Sequence, residues 1–265
     1  MTSSSQWKPN SRETATVKRP PIIGAIVDPI RASGEFATSV GLLPFRSRLP
    51  GGNGGPVIVF PGFMAGDRST GPMRRILSGL GYDVHGWGLG RNVGPTERVT
   101  HEMPAHLASL AEAAGKKVRL VGWSLGGVYA RHLAARRPDL VESVVTLGTP
   151  VRSDVTEASN ASGLFRLLAP VHTPGHPLLD EGTPLEVPVT AVHTRSDGIV
   201  HWETCIIASA PNAENLRVAG SHTGLGFNPA AVYVVADRLA QTDGTWDPLR
   251  VPRFYRGVIR HEPPR

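Results

Sequence analysis

Short, almost wholly apolar runs alternate along this chain with longer segments whose apolar residues recur every three to four positions. Val57–Phe60, Tyr82–Trp87, Val118–Trp123, Ser143–Leu147, Val187–Thr194 and Asn215–Val218 are the runs. The periodic segments predict helices over about Thr70–Leu80, Glu97–Ala114, Leu125–Arg137, Glu203–Ala210 and Pro229–Gln241. Strands that are apolar throughout, with no polar alternation, are buried on both faces, which is the condition of a parallel sheet covered by helices. The pattern therefore predicts an α/β fold, a mostly parallel sheet with helices on both sides.

Three places break the rhythm. Residues 1–48 begin with a Ser-, Thr-, Lys- and Pro-rich arm and continue over Ile22–Phe45 as a helix or irregular wrap, and the turn cluster "LPGGNGGP" marks entry into the core. The pattern assigns residues 49–245 to one domain, interrupted by an insertion over about 150–187, and leaves 246–265 as a C-terminal tail. The insertion is irregular apart from the apolar patch "GLFRLLAP". A stretch of that length without regular structure inside a compact domain is usually functional.

Composition narrows the classes. With 265 residues, 40% hydrophobic and 19% charged, the chain has the make-up of a folded globular protein. Its formal charge of +6 is spread over pairs such as Arg74-Arg75 and Lys116-Lys117 without interleaved aromatics, so no nucleic-acid partner is expected. "PPIIGAIVDPI" is too short and proline-bounded to span a membrane, and residues 1–20 lack the apolar core of a secretory signal. A cytoplasmic location is the expectation. Cys205 is the single cysteine, set in the apolar context "ETCIIAS", which suggests a buried structural thiol and excludes an intrachain disulfide or a cysteine metal site.

The chemistry concentrates in "VRLVGWSLGGVYARHLAARRPD", Val118 to Asp139. Gly122, Ser124 and Gly126 form G-x-S-x-G between an apolar strand and a helix, a turn so sharp that flanking side chains would collide. An ordinary N-cap serine would not ask for glycine on both sides. This strand–serine–helix elbow resembles that of the α/β-hydrolase family, over roughly Pro56 to Gln241.

The resemblance implies an α/β-hydrolase fold with a cap or lid formed by the insertion, and a catalytic Ser124 whose partners follow in the order acid, then histidine. "RSDGIV" places Asp197 just past a strand's carboxyl end and resembles the family's acid-bearing segment; Asp154 and Asp180 fall in the insertion and Asp237 in a helix. Of the histidines after Asp197, His201 is too close in sequence and His261 sits in the tail. His222, in "VAGSHTGLG", is the expected base, with Gly220 and Gly224 giving its loop freedom to bend. The oxyanion donors are expected to be the backbone N–H groups of Leu125 and of Phe63, which follows Pro61-Gly62 where relatives often carry His-Gly. Trp123, Leu164, Phe165 and Leu168 are candidates for the substrate pocket.

"GWGLGRNVG" looks like a nucleotide-binding loop, but no frame of it yields G-x-G-x-x-G and no Walker lysine follows, so it is expected to be a tight loop near the cleft. The expected function is a serine hydrolase of carboxylic esters, carboxylesterase- or lipase-like, requiring no metal or cofactor and taking a small-molecule ester or acylglycerol. An acyltransferase, thioesterase or perhydrolase could use the same residues, and a hydrolase-fold binding protein would need only the pocket.

Overall fold

The computed structural model describes residues 19–42, 48–151, 159–173, 184–241 and 245–264. The N-terminal arm over 1–18, and the parts of the insertion that contain Asp154 and Asp180, lie outside the described residues. The described elements are α1 (Ile22–Leu42), β1 (Pro56–Phe60), α2 (Asp67–Gly79), β2 (Asp83–Gly86), α3 (Glu97–Ala114), β3 (Val118–Trp123) and α4 (Leu125–Arg136). There follow β4 (Val141–Leu147), α5 (Ser162–Leu167), β5 (Val189–His193), β6 (Ala213–Val218), α6 (Pro229–Leu239) and β7 (Ile259–Glu262).

The seven strands form one sheet in the order β2-β1-β3-β4-β5-β6-β7, parallel from β2 to β6 and antiparallel between β6 and β7. This is the α/β-hydrolase fold. Period-2 alternation divides each strand between two cores. Ile58, Phe60, Val118 and Leu120 pack with Leu107, Tyr129 and Leu133 on one face; Val57, Val59, Val121 and Trp123 pack with Leu77, Val235 and Leu239 on the other. Because both faces are covered, the strands are mostly apolar, and buried polar residues on them such as Thr190 and Asn215 are hydrogen-bonded.

Helix ends follow local chemistry. The Thr96 side chain accepts the Val99 N–H to open α3, and Gly115 closes it in the left-handed conformation at φ 59°. Asn228 caps α6 by accepting from Ala230 and Ala231 N–H, with Pro229 in the first turn where its missing N–H costs no bond.

Two expectations are corrected. Glu203–Ala210 is not a helix: after a single 3-10 turn at Trp202–Cys205, Ile206 is extended and residues 206–210 have no regular secondary structure. The Asn215 side chain binds both Ile207 N (2.9 Å) and Ile207 O (3.0 Å), taking the backbone bonds a helix would need for itself. The C-terminal segment is not a free tail, because β7 pairs with β6 from Asn215↔Glu262 to Val218↔Ile259. Of the two alternatives for the N-terminal segment, helix or irregular wrap, the structure has the helix, and its polarity is inverted: Ile22, Ile23, Ile26 and Ile30 are exposed, whereas Asp28 is 0% exposed. Among the described residues no helix is long and apolar enough to cross a membrane.

Candidate active site

Ser124 sits between β3 and α4 at φ 52° and ψ −123°, a backbone conformation that costs a non-glycine residue of order 1–3 kcal/mol. Its surroundings leave no other solution. A Cβ on Gly122 would lie 2.2 Å from Gly127 Cα, one on Gly126 would lie 2.5 Å from Phe60 O, and one on Gly127 would lie 2.0 Å from Thr149 Oγ1. The elbow is held from behind by Ser124 N–H donating to Leu147 O at 2.7 Å and by the Thr149 hydroxyl donating to Ser124 O at 2.9 Å. Strand β1 ends alongside, so closely that a Cβ on Gly62 would stand 3.3 Å from Ser124 Cβ.

His222 follows β6 and Asp197 follows β5, and the two side chains meet: Nδ1 of His222 is 2.6 Å from Asp197 Oδ2. The other carboxylate oxygen, Oδ1, accepts Ile199 N–H at 2.8 Å and Val200 N–H at 2.7 Å, so Asp197 is fixed before it reaches the imidazole. Both side chains are buried. Burial alone pulls the His222 pKa down, but the Asp197 charge, its hydrogen bond and the Asp28 charge outweigh burial and leave it raised. The His222 loop leans on the elbow, because the Trp123 indole N–H donates to His222 O at 3.0 Å. Ser124 Oγ and the imidazole share this sheet edge, with no hydrogen bond between them among the described residues; such contacts are often looser without substrate.

Phe63 and Leu125 flank the serine from β1 and α4. The N–H groups that follow Phe63 are occupied: Met64 donates to Asn92 O at 2.7 Å and Ala65 to Gly62 O at 3.1 Å. Among the described residues no bond from the Phe63 N–H is formed, and Met64 takes φ 61° to turn the loop there. Asn92 belongs to the glycine-rich loop expected to be a tight loop near the cleft. It is 0% exposed, its amide donates to Pro61 O at 2.8 Å, and Tyr129 OH donates to its Oδ1 at 3.1 Å. An asparagine inside a glycine cluster was the available signal.

The pocket candidates separate. Trp123 does not line an open pocket: it is buried against Val59, Met73 and Leu147 and supports the His222 loop. Phe165 packs on Phe63 with ring centroids 5.4 Å apart and on His172 at 4.6 Å. Leu164 is exposed and Leu168 half-buried. The described part of the insertion docks across the site, with Asn160 Nδ2 donating to Gly198 O at 2.8 Å and Thr173 N–H to Pro95 O at 2.8 Å. A cavity of about 590 Å³ lined by Lys116, Glu142, Glu186 and Trp246 opens near the first residues of β4 and β5, away from this edge.

Gly220 and Gly224 have a different reason from the one expected. Neither adopts a positive φ; instead, Cβ atoms there would stand 2.7 Å and 2.3 Å from Glu35 Oε2 of α1. They are glycines because α1 approaches closely. The Cys205 thiol is fully buried, and burial, with the Asp197 charge nearby, pushes its pKa well up, which suits an inert structural residue. Among the described residues no group of three or more His, Cys, Asp or Glu side chains could hold a metal ion.

Comparison with known proteins adds the following. The profile described as the alpha/beta hydrolase fold matches residues 55–170. A triacylglycerol lipase of Pseudarthrobacter phenanthrenivorans is 51% identical over 43 residues, 16% of this chain and 14% of that protein. A pimeloyl-[acyl-carrier protein] methyl ester esterase of Chromobacterium violaceum is 36% identical over 102 residues, 28% of this chain and 39% of that protein. These matches span well under half the length of either relative. Among solved structures, Aspergillus fumigatus lipase B aligns at TM-score 0.55 and 18% identity, covering 76% of this chain and 56% of that one. A soluble variant of monoglyceride lipase from Saccharomyces cerevisiae aligns at TM-score 0.52 and 14% identity, covering 73% and 88%.

Proposed function

We propose that this member of the α/β-hydrolase fold family is a serine hydrolase that cleaves carboxylic esters through an acyl-enzyme, with Ser124 as nucleophile, His222 as base and Asp197 as orienting acid. The observation that carries the reading is the 2.6 Å contact between His222 Nδ1 and Asp197 Oδ2, at the sheet edge that also bears a serine at positive φ. A hydroxyl is a weak nucleophile unless a base takes its proton as it attacks. With Nδ1–H committed to Asp197, the neutral tautomer of His222 leaves Nε2 as the acceptor.

Attack on the ester carbonyl would place negative charge on its oxygen, which the N–H groups of Phe63 and Leu125 would receive. Collapse expels the alcohol, protonated by His222, and leaves the acyl group on Ser124; a water activated by the same imidazole releases the acid. The relatives' names, a triacylglycerol lipase and a methyl ester esterase, favour an ester substrate. The packing of Phe165 on Phe63 supports the insertion as a cover over the acyl side.

A fluorophosphonate probe together with a p-nitrophenyl ester series from acetate to palmitate tests the reading. The expected result is stoichiometric phosphonylation of Ser124, found by peptide mass analysis, and turnover that this labelling abolishes. Probe on another residue, or ester turnover that survives complete labelling, would overturn it.

A further inference from the structure

We propose that α1 is a strap across the two catalytic loops and that Asp28 is a positioning residue for His222. The inference rests on the catalytic reading above and assigns a role to a helix outside the region matched by the family profile.

One carboxylate holds both loops. Asp28 Oδ2 accepts the N–H of His222 itself at 2.8 Å and that of Gly198, the residue after the acid, at 3.3 Å. Oδ1 accepts the Thr223 N–H at 2.7 Å. Burial by itself pushes the Asp28 pKa up, but the bonds from Thr223 and His222 prevail and it is lowered, so the group is anionic at neutral pH. A buried carboxylate is tolerable only when donors meet it, and here the donors, backbone N–H groups of Gly198, His222 and Thr223 together with the Thr223 side chain, all belong to the acid or base loop.

The rest of that helical face repeats the pattern at positions 31 and 35. The Arg31 guanidinium donates to Ser196 O (2.8 Å), Ser196 Oγ (2.9 Å) and Gly220 O (2.7 Å), again one residue group from each loop. Glu35 accepts from Ser221 N (2.7 Å), Ser221 Oγ (2.6 Å) and Asn228 Nδ2 (2.6 Å). Backbones also touch: a Cβ on Gly198 would lie 2.2 Å from Gly24 O. Residues 28, 31 and 35 share a face by helical spacing, which is why α1 turns its polar side inward and leaves isoleucines outside.

Position and charge act together. The loop backbone fixes where the imidazole stands, and the Asp28 carboxylate beneath it favours the imidazolium that forms as Ser124 loses its proton. The charged or titratable groups facing His222 and its loop are Asp197, Asp28, Glu35 and Arg31, with Cys205 beside Asp197.

The test compares Asp28→Asn and Asp28→Ala with wild type in the full chain, with rates expressed per fluorophosphonate-titrated site so that unfolded protein is not counted. In both variants kcat should fall by up to about 10²-fold, the loss expected when a catalytic group is misplaced by an ångström, with KM within about 2-fold. The acid limb of kcat/KM should move to lower pH, because loss of a nearby negative charge lowers the His222 pKa. Ser33→Ala, on an exposed part of α1, should behave as wild type. A normal kcat per site with an unshifted limb would overturn the proposal. If neither Asp28 variant folds, Glu35→Gln decides: full kcat per site in that variant also overturns it. Ser124→Ala separates the two readings, because full activity there removes the catalytic assignment, whereas a dead Ser124→Ala beside a normal Asp28→Asn removes only the strap.

Discussion

The side-chain amide of Asn92 donates to the backbone carbonyl of Pro61 at 2.8 Å, joining the glycine-rich loop after β2 to the loop that carries Phe63. Two backbone bonds reinforce the join, Met64 N to Asn92 O and Asn92 N to Ala65 O, each 2.7 Å. Oxyanion donors work because they are aimed before charge develops, so under the proposed role of the Phe63 N–H whatever fixes its loop would share in that effect.

Asn92→Ala would strand buried partners on Pro61 and Tyr129. The expected cost is about 1–3 kcal/mol in urea unfolding. It should also lower kcat by roughly 10-fold to 10²-fold, less than the loss of an oxyanion donor itself. A variant with wild-type kcat would detach Asn92 from the oxyanion role proposed for the Phe63 loop.

The elbow was legible because its glycines are steric necessities: a Cβ at 122, 126 or 127 strikes backbone or Thr149. The pairing of Asp197 with His222 was legible because parallel topology sends successive loops to one sheet edge. What lay beyond sequence reading depends on partners distant along the chain. Asp28 meets His222 across 194 positions, and nothing near Asp28 in sequence announces a buried carboxylate. Ile206-Ile207 suited a helix as well as an extended run, and Asn215 decided between them. Gly220 and Gly224 were recognisable as glycines with a purpose, but the purpose was room for Glu35, not backbone freedom.

Ser124→Ala should leave a folded protein whose kcat is lower by on the order of 10⁶, and Asp197→Asn one lower by about 10⁴ through the wrong imidazole tautomer, by analogy with serine proteases. Steady-state kinetics on p-nitrophenyl butyrate, with circular dichroism for folding, check both. Equal, small losses would break the assignment of distinct roles.

Activity should also report the His222 environment. Its pKa is raised above the ordinary 6.5, and only the neutral imidazole can take a proton. The acid limb of the kcat/KM profile should therefore lie above pH 6.5, and a limb below that value would contradict the charge arrangement around His222.

Stability should depend on a different histidine. His193 at the end of β5 is 0% exposed, stacks on Trp202, and has neither ring nitrogen hydrogen-bonded among the described residues. Burial holds its pKa down to about 4, although the Glu262 charge 3.8 Å away opposes this. The unfolded chain thus binds a proton more readily, so stability is lost as pH falls from about 6.5 towards 4. The loss from this group is at most about 3 kcal/mol. His222 acts in another window, since its raised pKa gives stability that is complete below 6.5 and lost as pH rises through the folded value. Urea unfolding at pH 4 and 7 should show His193→Phe, which keeps an aromatic ring against Trp202, losing less on acidification than wild type. Identical losses would assign the acid sensitivity elsewhere.

The insertion offers the last test, on substrate choice. Phe165 is the α5 side chain that faces Phe63, its ring centroid 5.4 Å away, while Leu167 on the same helix is 74% exposed. Phe165 is further held by His172, whose Nε2 contacts Val93 O at 2.8 Å, so the patch is tied to both walls around the serine. If acyl chains run beneath α5, Phe165→Ala removes apolar contact that a long chain makes and acetate does not. Discrimination in an apolar pocket is modest, so kcat/KM for octanoate relative to acetate should fall by about 10-fold to 200-fold. Leu167→Ala, which changes only exposed surface, should leave that ratio unchanged. Losses of the same size for acetate, butyrate and octanoate in Phe165→Ala would mean that the ring steadies the Phe63 loop instead, and chain length would then have to be read by another part of the site.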